Sequence, residues 1–314
     1  MSIDTFRDSK SLKMNLPTIT RILFSTTMLF SVSVVSAQQA KQNLIANHAK
    51  VAKVQGGFAF TEGPSVAPDG RVFFTDQPND KIDVWSEDGT ISTYMNGCQR
   101  ANGTYFNQKG ELVVCADLHN KLMVVTPDKQ MKTIAENYDG KHLNAPNDLW
   151  IAPNGGIYFT DPYYFRKYWE PGHQEVQDVR GVYYLNPNGK VIRVISDYKQ
   201  PNGLIGTPDG KTLYVSDIED GKIWKYSMNA DGTLSNKTFF APEGSDGMTI
   251  DNKGNVYLSS KTVSVYNPQG ENIAKIEVPE QPANICFGGK KRNILFITAR
   301  TSVYTLKMNV KGVD

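Results

Sequence analysis

The sequence predicts an all-β fold, a six-bladed β-propeller, and three observations carry that prediction. A polar-turn-apolar segment recurs six times, the apolar residues within each copy alternate with period two, and no helical pattern of any length intervenes. The copies read TEGPSVAPDGRVFFTD (61–76), ANGTYFNQKGELVVCAD (101–117), PNDLWIAPNGGIYFTD (146–161), PNGLIGTPDGKTLYVSD (201–217), SDGMTIDNKGNVYLSS (245–260) and PANICFGGKKRNILFITA (282–299). Aligned on the turn, they open on Glu62, Asn102, Asn147, Asn202, Asp246 and Asn284, spaced 40, 45, 55, 44 and 38 residues apart. Periods of that length belong to propellers and other repeat architectures.

Each copy supplies two strands of a hairpin, and two more follow. Runs such as Val72-Phe73-Phe74 and Ile157-Tyr158-Phe159 sit behind a glycine turn and form the second strand. Third strands are expected at 81–86, 121–126, 181–186, 222–228 and 262–267, and fourth strands at 91–95, 131–135, 191–196, 237–240 and 272–278. The last repeat offers strands at 284–288, 293–299 and 302–308 but no fourth. Residues 50–55 (KVAKVQ) precede the first repeat and can supply it, so an N-terminal strand in the last blade is expected to close the ring and cover two edges. A β-sandwich would not account for six in-phase repeats.

Residues 1–37 are expected to be a signal peptide. The apolar run 22–37 follows Arg21 and ends in Val35-Ser36-Ala37, as a short hydrophobic region before a small-residue cleavage site does. Counted from Met1 the leading region is long and contains Asp4 and Asp8; counted from Met14 it is MNLPTITR, the usual basic form, so Met14 is an alternative start. The competing reading is an uncleaved anchor, for which the run is short. Residues 38–314 are then one propeller domain, periplasmic or secreted, with no membrane attachment after cleavage.

Composition excludes several classes. With 39% hydrophobic and 21% charged residues the chain is neither disordered nor a multi-span membrane protein. Removing residues 1–37 leaves 30 charges of each sign, and no basic run interleaved with aromatics remains, which argues against nucleic acid as a partner. Cys98, Cys115 and Cys286 are too scattered for a thiolate metal site; a Cys98–Cys115 bridge would suit an oxidising compartment, whereas Cys115 and Cys286 read as small buried residues.

In a propeller the first strand of every blade is innermost, so the six opening residues should converge at one mouth of the central channel. Amide oxygens with two carboxylates, and no His or Cys, suit a hard cation such as Ca²⁺ or Mg²⁺. The alternative is a channel held open by hydrogen-bonded polar residues around water. Two close carboxylates without a cation would raise each other's pKa, which weakens that alternative for Glu62 and Asp246.

The motifs TEGP, LNAPND, QPNGL with TPDGKTLYVSD, and GSDGM, in that order, resemble the SMP-30/gluconolactonase/LRE family over residues 47–307. The resemblance implies one divalent cation, Ca²⁺ first with Mg²⁺, Mn²⁺ or Zn²⁺ as alternatives, held by Glu62, Asn147, Asn202 and Asp246. It further implies hydrolysis of a small lactone or similar ester. Asp148, beside Asn147, is the first candidate for general base, with Asp246 as the alternative. His142 stands in GKHLNAPND where many bacterial members carry Arg, and its imidazole could serve as acid or base. Asn102, His142, Asn144, Tyr163 and Tyr164 are the expected substrate contacts, the last two opening an aromatic insertion, Tyr163 to Arg180, that accounts for the 55-residue spacing and reads either as a lid over the mouth or as a loop packed on its own blade. His119 and His173 read as surface or packing residues. Asp76, Asp117, Asp161 and Asp217, repeated at strand ends, read as turn formers. Rival readings are a non-enzymatic binding propeller and a metal-dependent aryl-ester or phosphotriester hydrolase using the same cation.

Overall fold

The computed structural model describes residues 44–313, so the expected signal segment lies outside the described residues. Six four-stranded antiparallel sheets stand around a channel. Blade 1 comprises Thr61–Val66, Val72–Asp76, Lys81–Trp85 and Ile91–Asn96; blade 2, Ala101–Phe106, Leu112–Ala116, Lys121–Val125 and Met131–Ala135. Blade 3 comprises Leu149–Ile151, Ile157–Asp161, Gly181–Leu185 and Val191–Ile195; blade 4, Pro201–Gly206, Thr212–Asp217, Lys222–Met228 and Leu234–Ala241. Blade 5 comprises Met248–Ile250, Val256–Ser259, Val263–Tyr266 and Asn272–Ile276; blade 6, Asn284–Gly288, Ile294–Ala299 and Ser302–Lys307. Its fourth strand is Ala52–Gly56, antiparallel to Ser302–Lys307, which closes the ring as the sequence predicts.

Local chemistry sets each hairpin. In the first, Ala67 and Arg71 pair across a turn in which Gly70 takes φ +94° and the Asp69 carboxylate accepts from the Arg71 N–H. Beyond it Val72–Asp76 is buried throughout, as a strand covered on both faces must be, whereas Ile91–Asn96 at the rim is partly or fully exposed along its length. Adjacent blades are glued by large apolar side chains. Phe74 and Trp85 of blade 1 pack on Phe296 of blade 6, Phe73 on Phe106 of blade 2, and Tyr257 of blade 5 on Phe287 of blade 6. Each such ring contributes about 1.5–3 kcal/mol on burial.

Some features depart from the sequence reading. One-turn 3-10 helices occupy Gln77–Asn79 and Asp117–His119, and an extra two-stranded ladder pairs Asn137–Tyr138 with Lys141–His142. Cys98 and Cys115 are buried and free, so the disulfide considered above does not form: Cys98 Sγ lies 3.5 Å from Asp80 Oδ1, and Cys115 packs between Val113 and Leu122 in the core shared by blades 2 and 3.

Candidate active site

Innermost strands of successive blades pack on one another around the whole ring. At five of the six polar opening positions their ladders are interrupted, whereas Asn284 pairs in register with Thr298. Register slips between Glu62 and Ser65, between Ala101 and Thr104, and between Pro201 and Leu204, while in blades 3 and 5 the inner strand begins only after Asp148 and Gly247. Bulges of this kind re-aim side chains. A small residue after the opening one lets the next blade come close: a Cβ on Gly63 would sit 2.0 Å from the Asn102 carbonyl oxygen, and one on Gly247 1.9 Å from Asn284 Oδ1. Four of the six copies have glycine there; blade 6 has Ile285, and blade 3 has Asp148, a carboxylate placed directly beside the channel.

The opening residues converge. Asn202 Nδ2 donates to Asp246 Oδ1 at 2.8 Å, and Asn284 Nδ2 to Glu62 Oε2 at 3.1 Å, although Glu62 and Asn284 are 222 positions apart. Glu62, Asn102, Asn147, Asn202 and Asn284 are at most 7% exposed, and Asp246 is half-buried. Burial, reinforced by the Asp246 charge, raises Glu62 well above the usual carboxylate range; burial lifts Asp246 to about 6 and Asp148 to about 7. Asp148 Oδ1 accepts from the Leu149 N–H at 2.9 Å, and its Oδ2 receives a long contact, 3.4 Å, from the Leu204 N–H.

The residues fit a hard cation. Asn102 Oδ1 and Asn202 Oδ1 are buried acceptors without a partner, a costly arrangement unless something electropositive lies against them. Asn202 is fixed in that orientation, since turning its amide over would set oxygen against the Asp246 carboxylate. Among the described residues no three His, Cys, Asp or Glu side chains gather to hold an ion, so a cation here draws on the amides as well as on Glu62 and Asp246.

Other expected contacts are placed elsewhere. Asn144 is fully buried and its amide is consumed by the insertion: Oδ1 accepts from the Val176 and Gln177 N–H groups, and Nδ2 donates to the Val179 carbonyl. It braces the insertion. Tyr163 donates to the His173 carbonyl and stacks with Trp169 and His173, forming the insertion's own small core. His142 is exposed on the 137–142 hairpin, where its carbonyl accepts from Gln177, and no described contact links it to the ring. Tyr164 does reach the ring, with its hydroxyl 2.9 Å from Asn202 Nδ2.

The strand-end aspartates have a larger part than turn formation. Asp76 accepts from the N–H groups of Ala59 and Phe60, Asp161 from Asn144 and Ala145, and Asp217 from Lys199 and Gln200. Each pair lies two or three residues ahead of Glu62, Asn147 or Asn202, so these carboxylates clamp the backbone that delivers three of the ring residues. Asp117, their counterpart in blade 2, is diverted. Its Oδ2 receives Arg166, Tyr168 and Gln77, and its carbonyl the Trp169 indole, which ties the insertion across blade 2. Fourfold recurrence in the sequence was the available signal for this role.

Burial lifts Asp161 to about 7, although two N–H donors pull the other way. Unfolded, the same carboxyl returns to about 3.9, so the folded chain binds more protons between those values and stability falls as pH rises from about 4 through 7. Asp161→Asn is expected to flatten that part of the profile. Thermal unfolding of both proteins in chelator from pH 5 to 8 measures it, and an unchanged slope would mean that Asp161 stays ionised throughout.

Residues 60–301 match the family described as SMP-30/Gluconolactonase/LRE-like region. A gluconolactonase of Zymomonas mobilis subsp. mobilis is 29% identical over 283 residues, covering 81% of this chain and 80% of its own. A solved gluconolactonase from Xanthomonas campestris superposes with a TM-score of 0.78 at 28% identity, covering 86% of this chain and 92% of its own. Regucalcin from Agrobacterium tumefaciens, a calcium-binding protein, shares the fold at a TM-score of 0.69 and 20% identity, with 85% and 95% of the two chains covered. With more than half its length matched, and with its motifs on the residues that line the channel mouth, the chain belongs to the SMP-30/gluconolactonase/LRE-like family.

Proposed function

We propose that this protein is a divalent-cation-dependent lactonase, opening a small cyclic ester to its hydroxy acid. The observation that carries the reading is the pair of partnerless buried amide oxygens, Asn102 Oδ1 and Asn202 Oδ1, among carboxylates that burial raises in pKa. Family membership and lactone-opening relatives support the reaction class. Glu62, Asn147, Asn202 and Asp246 would hold the cation, with Ca²⁺ first among candidates because every donor is a hard oxygen. When bound, such an ion polarises the ester carbonyl and stabilises the charge that develops on its oxygen.

The remaining work falls to the chain. Water attacks the carbonyl carbon, the ring C–O bond breaks, and the ring oxygen leaves as a hydroxyl. Asp148 takes the water proton on Oδ2, the oxygen with the weaker hydrogen bond, and returns it to the departing ring oxygen, which becomes the hydroxyl; Asp246 is the alternative proton carrier. The insertion, pinned to blades 2, 3 and 4 through Asp117, Asn144 and Gln200, narrows the mouth and restricts water. The run 22–37 supports export to the periplasm or beyond.

Acid release from a panel of aldono-, homoserine and aromatic lactones, followed with Ca²⁺ and with chelator, tests the proposal. Turnover of at least one lactone, lost in chelator and restored by Ca²⁺, is expected. No acid from any lactone, together with no bound metal, would favour a binding propeller.

A further inference from the structure

The geometry points to Tyr164 as a catalytic hydrogen-bond donor, its phenol O–H reaching the substrate oxygen on which negative charge develops. The inference rests on the lactonase reading above. It is carried by a count of donors and acceptors at one atom.

Tyr164 Oη receives Asn202 Nδ2 at 2.9 Å, and the nearby Gln200 amide donates instead to the Tyr163 carbonyl. The Asn202 nitrogen cannot accept in return. Gln200 Oε1 is itself occupied by the Arg180 guanidinium, and Asn202 Oδ1 is held away by the bond from the same amide to Asp246. The phenol oxygen therefore acts as an acceptor towards Asn202, and its proton is left over. A hydroxyl that accepts a hydrogen bond is polarised into a better donor.

The phenol is held at the mouth by its neighbours in sequence. Residue 163 has its carbonyl taken by Gln200 Nε2 at 3.2 Å, and residue 166 is tied to Asp117 at 2.7 Å. Tyr164 is fixed between these points, half-buried, with the Arg166 guanidinium 5.6 Å from its ring. A donor preorganised beside the ring residues costs no rearrangement when the carbonyl is attacked, which is the condition under which a single hydrogen bond has a large effect on rate. No proton is transferred; the O–H hydrogen bond shortens as charge builds on the substrate oxygen.

The test uses the full chain, Tyr164→Phe, Ca²⁺ as the metal, and the best lactone of the panel. At saturating Ca²⁺ kcat is expected to fall about 100-fold, while the thermal shift produced by Ca²⁺ without substrate equals that of the parent protein. A lactam of the same ring size, measured by calorimetry, is expected to bind about five- to ten-fold more weakly to the variant, the loss of one hydrogen bond. Unfolding without Ca²⁺ checks that the variant keeps its fold. A kcat within about three-fold of the parent would overturn the inference. So would a loss that disappears at high Ca²⁺ alongside a reduced thermal shift, because the phenol would then act only by orienting Asn202. If the parent protein opens no lactone, the functional reading itself fails and this inference falls with it; an active parent with an unaffected variant overturns the inference alone.

Discussion

Asp246→Asn is expected to raise the melting temperature of the metal-free protein by a few degrees and at the same time to abolish both the Ca²⁺-induced stabilisation and turnover. Glu62 is buried near Asp246, whose charge adds to burial in raising the Glu62 pKa. Neutralising one removes a like-charge repulsion while keeping an oxygen for Asn202 Nδ2, which now donates to Asp246 Oδ1. A gain of about 1 kcal/mol corresponds to roughly 2–4 °C for a domain of this size. The same change removes a charged ligand from a site whose affinity scales with ligand charge, and kcat/KM should drop by about 10³ or more. Stability and activity thus move in opposite directions. Thermal unfolding with and without Ca²⁺, with lactone hydrolysis alongside, reads both; a lower metal-free melting temperature and an intact Ca²⁺ shift would rule out the ring as the cation site.

Gly63→Ala carries the largest structural penalty expected of a one-carbon change in the ring. Residue 63 has φ +48°, and its Cβ would lie 2.0 Å from the Asn102 carbonyl oxygen and 2.9 Å from the Gly103 Cα, both backbone atoms of the neighbouring inner strand. A left-handed alanine costs about 1–2 kcal/mol, and overpacking adds about 1–3. The sum, about 3 kcal/mol, lowers the melting temperature by roughly 6–12 °C. Gly97→Ala isolates the first part, since Gly97 has φ +72° with no atom within 4 Å of its Cβ. Equal melting temperatures for the two variants would mean that blades 1 and 2 can separate at this point without cost.

The blades were legible because strand period, turn glycines and repeat register all point to one architecture, and the ring followed from register alone: Glu62 and Asn284 could be placed side by side without any local clue. Asn144 was misplaced for the converse reason. Its chemistry suits substrate, but its partners lie in the insertion, a segment outside the repeat with no register to locate it. His142 was drawn into the site by its neighbour motif, whereas the short 137–142 ladder carries it to the surface. The aspartate clamps were visible as a repetition, but their partners are backbone N–H groups, which sequence does not distinguish. Glycine after the opening residue was equally visible at 63, 103, 203 and 247, and it singles out Asp148 as the carboxylate in a glycine's place.

Closure of blade 6 by Ala52–Gly56 makes assembly of the mouth a late and collective event. The strand that completes the circle and the strand it joins are about as far apart in the chain as two segments of this domain can be, so their pairing carries a heavy loop-closure cost and comes after the local hairpins. Until it forms, blades 1 and 6 are not held together and Asn284 has no fixed Glu62 to meet. The ligand set is therefore completed last: Asn202 and Asp246, on neighbouring blades, can pair before the circle locks, but Glu62 takes its fixed place against Asn284 only when it does.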